Sequence, residues 1–246
     1  MRRIIVLAAL AALAGPSVPA LAADPPLSRP EIEQIVRDYL LREPEVVYEA
    51  IQELQKRQQA AEAARQQAAI GERADELFRH PDDPTVGADP GDVTLVEFFD
   101  YRCGYCRNMA GKLRELVEGD PQLRFVLKEL PVLGPDSVTA AKAALAASRQ
   151  GPERYFDFHL ALMGSKALDR DTILALAAEH GYDPDRLAAE MEAAWVQERL
   201  DANHDLAESL GISGTPSFVV GTTLIPGAVD VARLAQLVEA ERKASN

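Results

Sequence analysis

Residues 93–106 read Val-Thr-Leu-Val-Glu-Phe-Phe-Asp-Tyr-Arg-Cys-Gly-Tyr-Cys, an apolar, strand-length run that leads directly into the two cysteines of the chain. Val93 to Phe99 reads as a buried strand and Arg107 to Glu118 as a helix, so the pair sits where one becomes the other. A thiol at a helix N-terminus faces unpaired backbone N–H groups and the positive end of the macrodipole, and both favour the thiolate. Cys103 holds that place. Cys106 lies about one turn further on, which makes Cys103 the attacking sulfur and Cys106 the resolving one.

Two other uses of a Cys-x-x-Cys pair compete with this one. A structural staple gains little here, because a bridge across two residues removes little chain entropy. Structural zinc takes four ligands, and His80, His159, His180 and His204 are isolated in sequence, so no metal site is expected. A linear two-thiolate site for monovalent copper stays open.

The chain begins with Arg2 and Arg3, an apolar stretch from Ile4 to Ala14, and then Ala20-Leu21-Ala22. Small residues at those two positions predict a cleavable signal peptide over 1–22 and an exported mature protein, with a twin-arginine route as the alternative. Losing Arg2 and Arg3 with the leader takes the formal net charge from −13 to −15. So acidic a surface argues against nucleic acid or an anionic membrane as partner.

Ile32, Ile35, Val36, Tyr39 and Leu40 recur at helical spacing behind Ser28, a candidate cap. Glu43-Pro44 interrupts, and a second helix follows through Val47, Ala50, Ile51 and Leu54 into a Gln/Ala-rich tract with almost nothing to bury. Such a helix is either a solvated linker or an oligomerisation arm. The Pro/Asp/Gly-rich segment from His80 to Gly91 is turn chemistry, and the expected domain boundary lies there, with an arm over 23–80 and a second domain over 86–246. Within that domain the pattern predicts strand, helix and strand up to Leu130, helices over about 136–210, a hairpin around Gly221 and a final helix.

Phe98-Phe99-Asp100-Tyr101-Arg102-Cys103-Gly104-Tyr105-Cys106, followed about 110 residues later by Gly214-Thr215-Pro216-Ser217-Phe218, resembles the DsbA-like thiol-disulfide oxidoreductases. The resemblance implies an α/β thioredoxin fold with a helical insertion, preceded here by an N-terminal helical arm. It implies a cis Pro216 beside the cysteines, with the backbone of Thr215 free to pair with an extended substrate, and Gly104 and Tyr105 at the substrate face. It also places a buried acid beneath the resolving cysteine, at Glu97. Desolvation in an apolar strand raises the pKa of such a carboxyl and fits it to take the proton of Cys106. Lys128 is expected on the neighbouring strand as the partner of Glu97, with a surface-facing pair as the alternative.

Two departures carry direction. The best-known oxidant of this group has a His between its cysteines, whereas Gly104-Tyr105 supplies no positive charge, and a less oxidising disulfide suits shuffling. The arm is similar to the N-terminal extension of the suppressor-of-copper-sensitivity C branch, some members of which trimerise through it and act as isomerases. The implied function is an exported disulfide isomerase acting on misoxidised periplasmic proteins. It would work as a homo-oligomer, reset by a membrane redox partner, with no cofactor. A dithiol oxidase and a copper-binding protein are the alternatives.

Overall fold

The computed structural model describes residues 26–244, so the predicted signal peptide over 1–22 lies outside the described residues. No described helix is long and apolar enough to cross a membrane. The chain divides into two compact units, residues 1–56 and 57–246.

In the first unit, α1 covers Arg29–Arg42. Ser28 caps it with Glu31 in a reciprocal capping box, the Ser28 backbone N–H donating to Glu31 Oε2 at 2.8 Å. Glu43-Pro44 ends the helix, and α2, Glu45–Glu72, starts directly after the proline. Ile32, Ile35, Val36, Tyr39, Leu41, Val47, Tyr48, Ile51 and Leu54 are all between 44% and 71% exposed. The apolar face read from the sequence therefore has no cover within the described residues of this unit.

The division between 56 and 57 falls inside α2 rather than at the expected boundary near His80. Ile70, late in α2, and Leu77, in α3 (Ala74–Arg79), are buried in one cluster with Val96, Phe98, Val126 and Leu206. Turn chemistry marks a loop, but burial decides where a unit ends, and these sparse apolar residues close one face of the sheet.

The second unit continues through β1 (Thr85–Gly87), β2 (Val93–Phe99), α4 (Gly104–Gly119) and β3 (Leu123–Glu129). The insertion holds α5 (Pro135–Gln150), a 3₁₀ turn at Pro152–Arg154, α6 (Tyr155–Gly164), α7 (Arg170–Glu179), α8 (Pro184–Glu190) and α9 (Ala194–Ser209). The hairpin of β4 (Ser217–Val220) and β5 (Thr223–Pro226) and the helix α10 (Val231–Ala244) complete the unit. The sheet order is β1-β3-β2-β4-β5, with β3 parallel to β2 and the other pairs antiparallel. This is a thioredoxin-like fold with a helical insertion between β3 and β4.

β2 is central, which explains its unbroken apolar run. Leu95 and Phe99 face one cluster with α4, α5, α6 and α10, while Val96 and Phe98 face the other. Strand β1 lies inside the segment read as linker, and its three residues are too few to leave a pattern. Gly87 ends it at φ +84°, where an added Cβ would stand 2.4 Å from the Leu123 carbonyl oxygen.

Lys128 does not partner Glu97. Phe98 pairs with Lys128 in register, so alternation puts Lys128 on the face opposite Glu97. There it is fully buried against Asp83, and it also donates to the Glu76 carbonyl. Arg199 Nε lies 3.1 Å from Asp83 Oδ1, an ion contact outside hydrogen-bond geometry. Burial pushes Lys128 down to about 8 and Asp83 upward, and their mutual attraction offsets part of both shifts. Removing one partner from such a network strands buried charge, so Asp83→Ala is expected to cost about 3 to 5 kcal/mol. Denaturant unfolding measures this, and a loss below about 1 kcal/mol would contradict a paired, buried triad.

Candidate active site

The site is built on the turn from β2 into α4. Asp100 is 1% exposed and binds this turn together: its carboxylate accepts from the Arg102 N–H at 2.6 Å, the Leu133 N–H at 3.0 Å and the Ser137 hydroxyl at 2.8 Å. One buried acid thus ties the end of β2 to the loop after β3 and the start of α5. Sequence reasoning assigned it no role, although an acid directly after an apolar strand is a signal that it must find partners.

Cys103 is the N-cap of α4, with extended backbone at φ −68° and ψ 114°. Its sulfur accepts from the Cys106 N–H at 3.3 Å, where a serine or aspartate oxygen normally sits in a cap. The helix N-terminus therefore delivers a hydrogen-bond donor and its dipole to this sulfur, as the spacing predicts. The two cysteines are unbridged thiols; Cys103 is 5% exposed and Cys106 fully buried.

The Thr215-Pro216 peptide bond is cis. The Cys103 thiol donates to the Thr215 carbonyl at 3.3 Å, joining residues 112 apart in sequence. Antiparallel pairing of β2 with β4 makes this possible, because β4 begins directly after Pro216. The expectation left both Thr215 backbone groups to a substrate; here the carbonyl is occupied while Cys103 keeps its proton. Tyr105 is 68% exposed and an added Cβ at Gly104 would meet nothing within 4 Å, so this edge is open.

Glu97 lies on β2 among the residues that face the cysteine cluster, 2% exposed, and its Oε1 has no hydrogen-bond partner. Burial pushes its pKa up to about 8, and negative charge at Cys103 adds to the rise. Burial raises the Cys106 thiol, and negative charge at Glu97 raises it further. Two buried acids therefore share one apolar environment, and charge on Glu97 opposes ionisation of Cys106.

A second buried group stands behind the site. The Tyr101 hydroxyl donates to Glu129 Oε1 at 3.1 Å and lies 3.0 Å from His159 Nδ1. Burial drives His159 down to about 3, which leaves it neutral at ordinary pH, and pushes Glu129 well up. His159 is a hydrogen-bonded core residue packed edge-on against Phe99. Among the described residues, no group of three or more His, Cys, Asp or Glu could hold a metal ion.

Residues 94–239 match the model of the DSBA-like thioredoxin domain, and residues 29–61 match the copper resistance protein ScsC N-terminal domain. A thioredoxin-like oxidoreductase from Silicibacter pomeroyi DSS-3 is 45% identical, with a TM-score of 0.65 over 69% of this chain and 97% of that one. Proteus mirabilis ScsC in a transitional conformation is 31% identical, with a TM-score of 0.66 over 87% and 97% of the two chains. The Na(+)/H(+) antiporter NhaA of Herminiimonas arsenicoxydans is 32% identical over 174 residues, 68% of this chain, which spans only 27% of that curated relative. The cap position of Cys103, the cis Pro216 across from it and these matches converge: the chain belongs to the DSBA-like thioredoxin domain family, the thiol-disulfide oxidoreductases of DsbA/ScsC type.

Proposed function

We propose that the protein is an exported disulfide isomerase that rearranges wrong disulfides in periplasmic proteins, working as a homo-oligomer held by its N-terminal unit. The observation that carries this reading is Cys103 at the helix cap with its thiol on the Thr215 carbonyl. Loss of the Cys103 proton creates the nucleophile and, in the same event, removes the donor from Thr215 O. That carbonyl and the Thr215 N–H then become available to an extended substrate segment, so activation and binding are one step.

The Cys103 sulfur attacks a substrate disulfide, forms a mixed disulfide and releases one substrate thiolate. A substrate thiolate can then displace Cys103, which completes isomerisation with no net redox change. Alternatively Cys106 attacks the Cys103 sulfur; the substrate leaves reduced, and a membrane redox partner must return the Cys103–Cys106 disulfide to thiols. Ionised Glu97 takes the Cys106 proton in that attack. Gly104-Tyr105 places no cation between the cysteines, which favours exchange over net oxidation.

Refolding of scrambled ribonuclease by the reduced protein tests the reading. Activity is expected without copper and is expected to vanish in Cys103→Ser; turnover that requires copper would support a copper-handling protein, and failure to unscramble combined with oxidation of reduced ribonuclease by the disulfide form would support a dithiol oxidase.

Glu97 binds a proton in the folded state that the unfolded chain releases between its ordinary 4.5 and about 8. Stability is therefore expected to fall as pH rises through that window. Denaturant midpoints measured across the window should show a shallower fall in Glu97→Gln, and equal slopes in the two proteins would remove Glu97 from the proton path.

For the arm, the uncovered apolar side chains of α1 and early α2 support self-association. Light scattering should find about three chains per particle for residues 23–246 and one after deletion of 23–56. Deletion stops at 56 because Ile70 and Leu77 belong to the core of the second unit. A single-chain particle for residues 23–246 would end the oligomer proposal.

A further inference from the structure

On the residues that flank the Cys103–Cys106 segment lies a polar cavity of about 310 Å³, lined by Arg102, Arg107, Lys166, Asp136, Ala167 and Leu168. Arg102 directly precedes Cys103, and Arg107 stands on the first turns of α4, about 6 Å along the helix axis from the cap. Both guanidinium groups are held by neutral acceptors: Arg102 Nη1 donates to the Leu133 carbonyl at 2.9 Å and Arg107 to the Ser165 carbonyl. These bonds orient the side chains without cancelling their charge. Lys166 is exposed and makes no hydrogen bond or ion pair with a described residue, and Asp136 pairs with none of the three cations. A chain of net charge −13 thus presents a local excess of positive charge next to its nucleophile.

We infer that this cavity is a carboxylate-binding subsite that selects disulfides with an acidic group beside the cysteine to be attacked. The inference rests on the exchange reading above and names its substrate preference. Three donors around one cavity suit a carboxylate, because charge-assisted N–H···O bonds are the stronger class. The subsite also answers a problem set by composition, since the acidic surface otherwise repels acidic substrates on approach. The carboxylate can belong to an aspartate or glutamate of a protein substrate or to a small acidic thiol such as glutathione.

The test uses the full reduced protein and three peptides whose single cysteine carries a 2-pyridyl disulfide, flanked by Glu, Gln or Lys. The Cys103 sulfur attacks the peptide sulfur, the peptide S–pyridyl S bond breaks, and its electron pair leaves on pyridine-2-thiolate. That ion takes a proton and is followed as the coloured thione. The Glu peptide is expected to react about fivefold faster than the Lys peptide at low ionic strength, with the ratio shrinking as salt screens the site. Lys166→Gln should lower the ratio and Lys166→Glu should bring it to one or below; the ratio cancels any general change in Cys103 reactivity. In a parallel arm, glutathione disulfide is compared with its tetraester, in which every carboxylate is capped. Preference for the acid form there but not among the peptides assigns the subsite to small thiols, and preference in both assigns it to either source. Equal rates for all three peptides and for the acid and ester, or a ratio untouched by both Lys166 variants, would overturn the subsite alone. Absence of thione release with every peptide would overturn the exchange reading and the subsite with it.

Discussion

Burial of β2 on both faces is the constraint from which the rest of the molecule follows. Its seven residues lie between β3 and β4, with one helical layer over Leu95 and Phe99 and another over Val96 and Phe98. Each large apolar side chain fully removed from water contributes about 1.5 to 3 kcal/mol, so this strand anchors the sheet. Its end fixes where the chain turns into α4, and hence where Cys103 stands. Its neighbour β4 fixes where Pro216 stands. The contact between the Cys103 thiol and the Thr215 carbonyl is therefore a product of sheet order rather than of any local attraction between the two loops.

Polar groups placed inside such a core fall into two classes, set by whether donors or cations meet their charge. Asp100 is buried with three donors, and Asp83 with Lys128 and Arg199, so their charge is met and they hold loops and layers together. Glu97 and Glu129 are each left with a carboxylate oxygen that has no hydrogen-bond partner and form no ion pair with a described residue, whereas the Asp83 Oδ1, also without a hydrogen bond, faces the Arg199 guanidinium at 3.1 Å. A buried carboxylate oxygen met by neither a donor nor a cation costs free energy in the ionised form, so these two groups tend to hold protons.

Much of this was legible in the residues. The strand-length run, the Cys-x-x-Cys spacing, the Glu43-Pro44 break and the Ser28 cap each report on neighbours in sequence, and local rules read them. The boundary at 56, the short strand β1 and the partner of Lys128 were not legible. Ile70 and Leu77 look like isolated apolar residues until the sheet face they cover exists. Lys128 and Glu97 look like partners on adjacent strands until alternation in register puts them on opposite faces.

The sequence by itself determined the chemistry: two thiols at a strand-to-helix turn, an acid six residues upstream and a Thr-Pro pair downstream. These depend on spacing along the chain, where helix and strand periodicity act. Only the tertiary structure decided which groups lose water and which meet. Desolvation and contact across 112 residues are properties of packing, and packing turned Glu97 into a high-pKa acid, Lys128 into a scaffold cation and Cys103 into a thiol held by the Thr215 carbonyl.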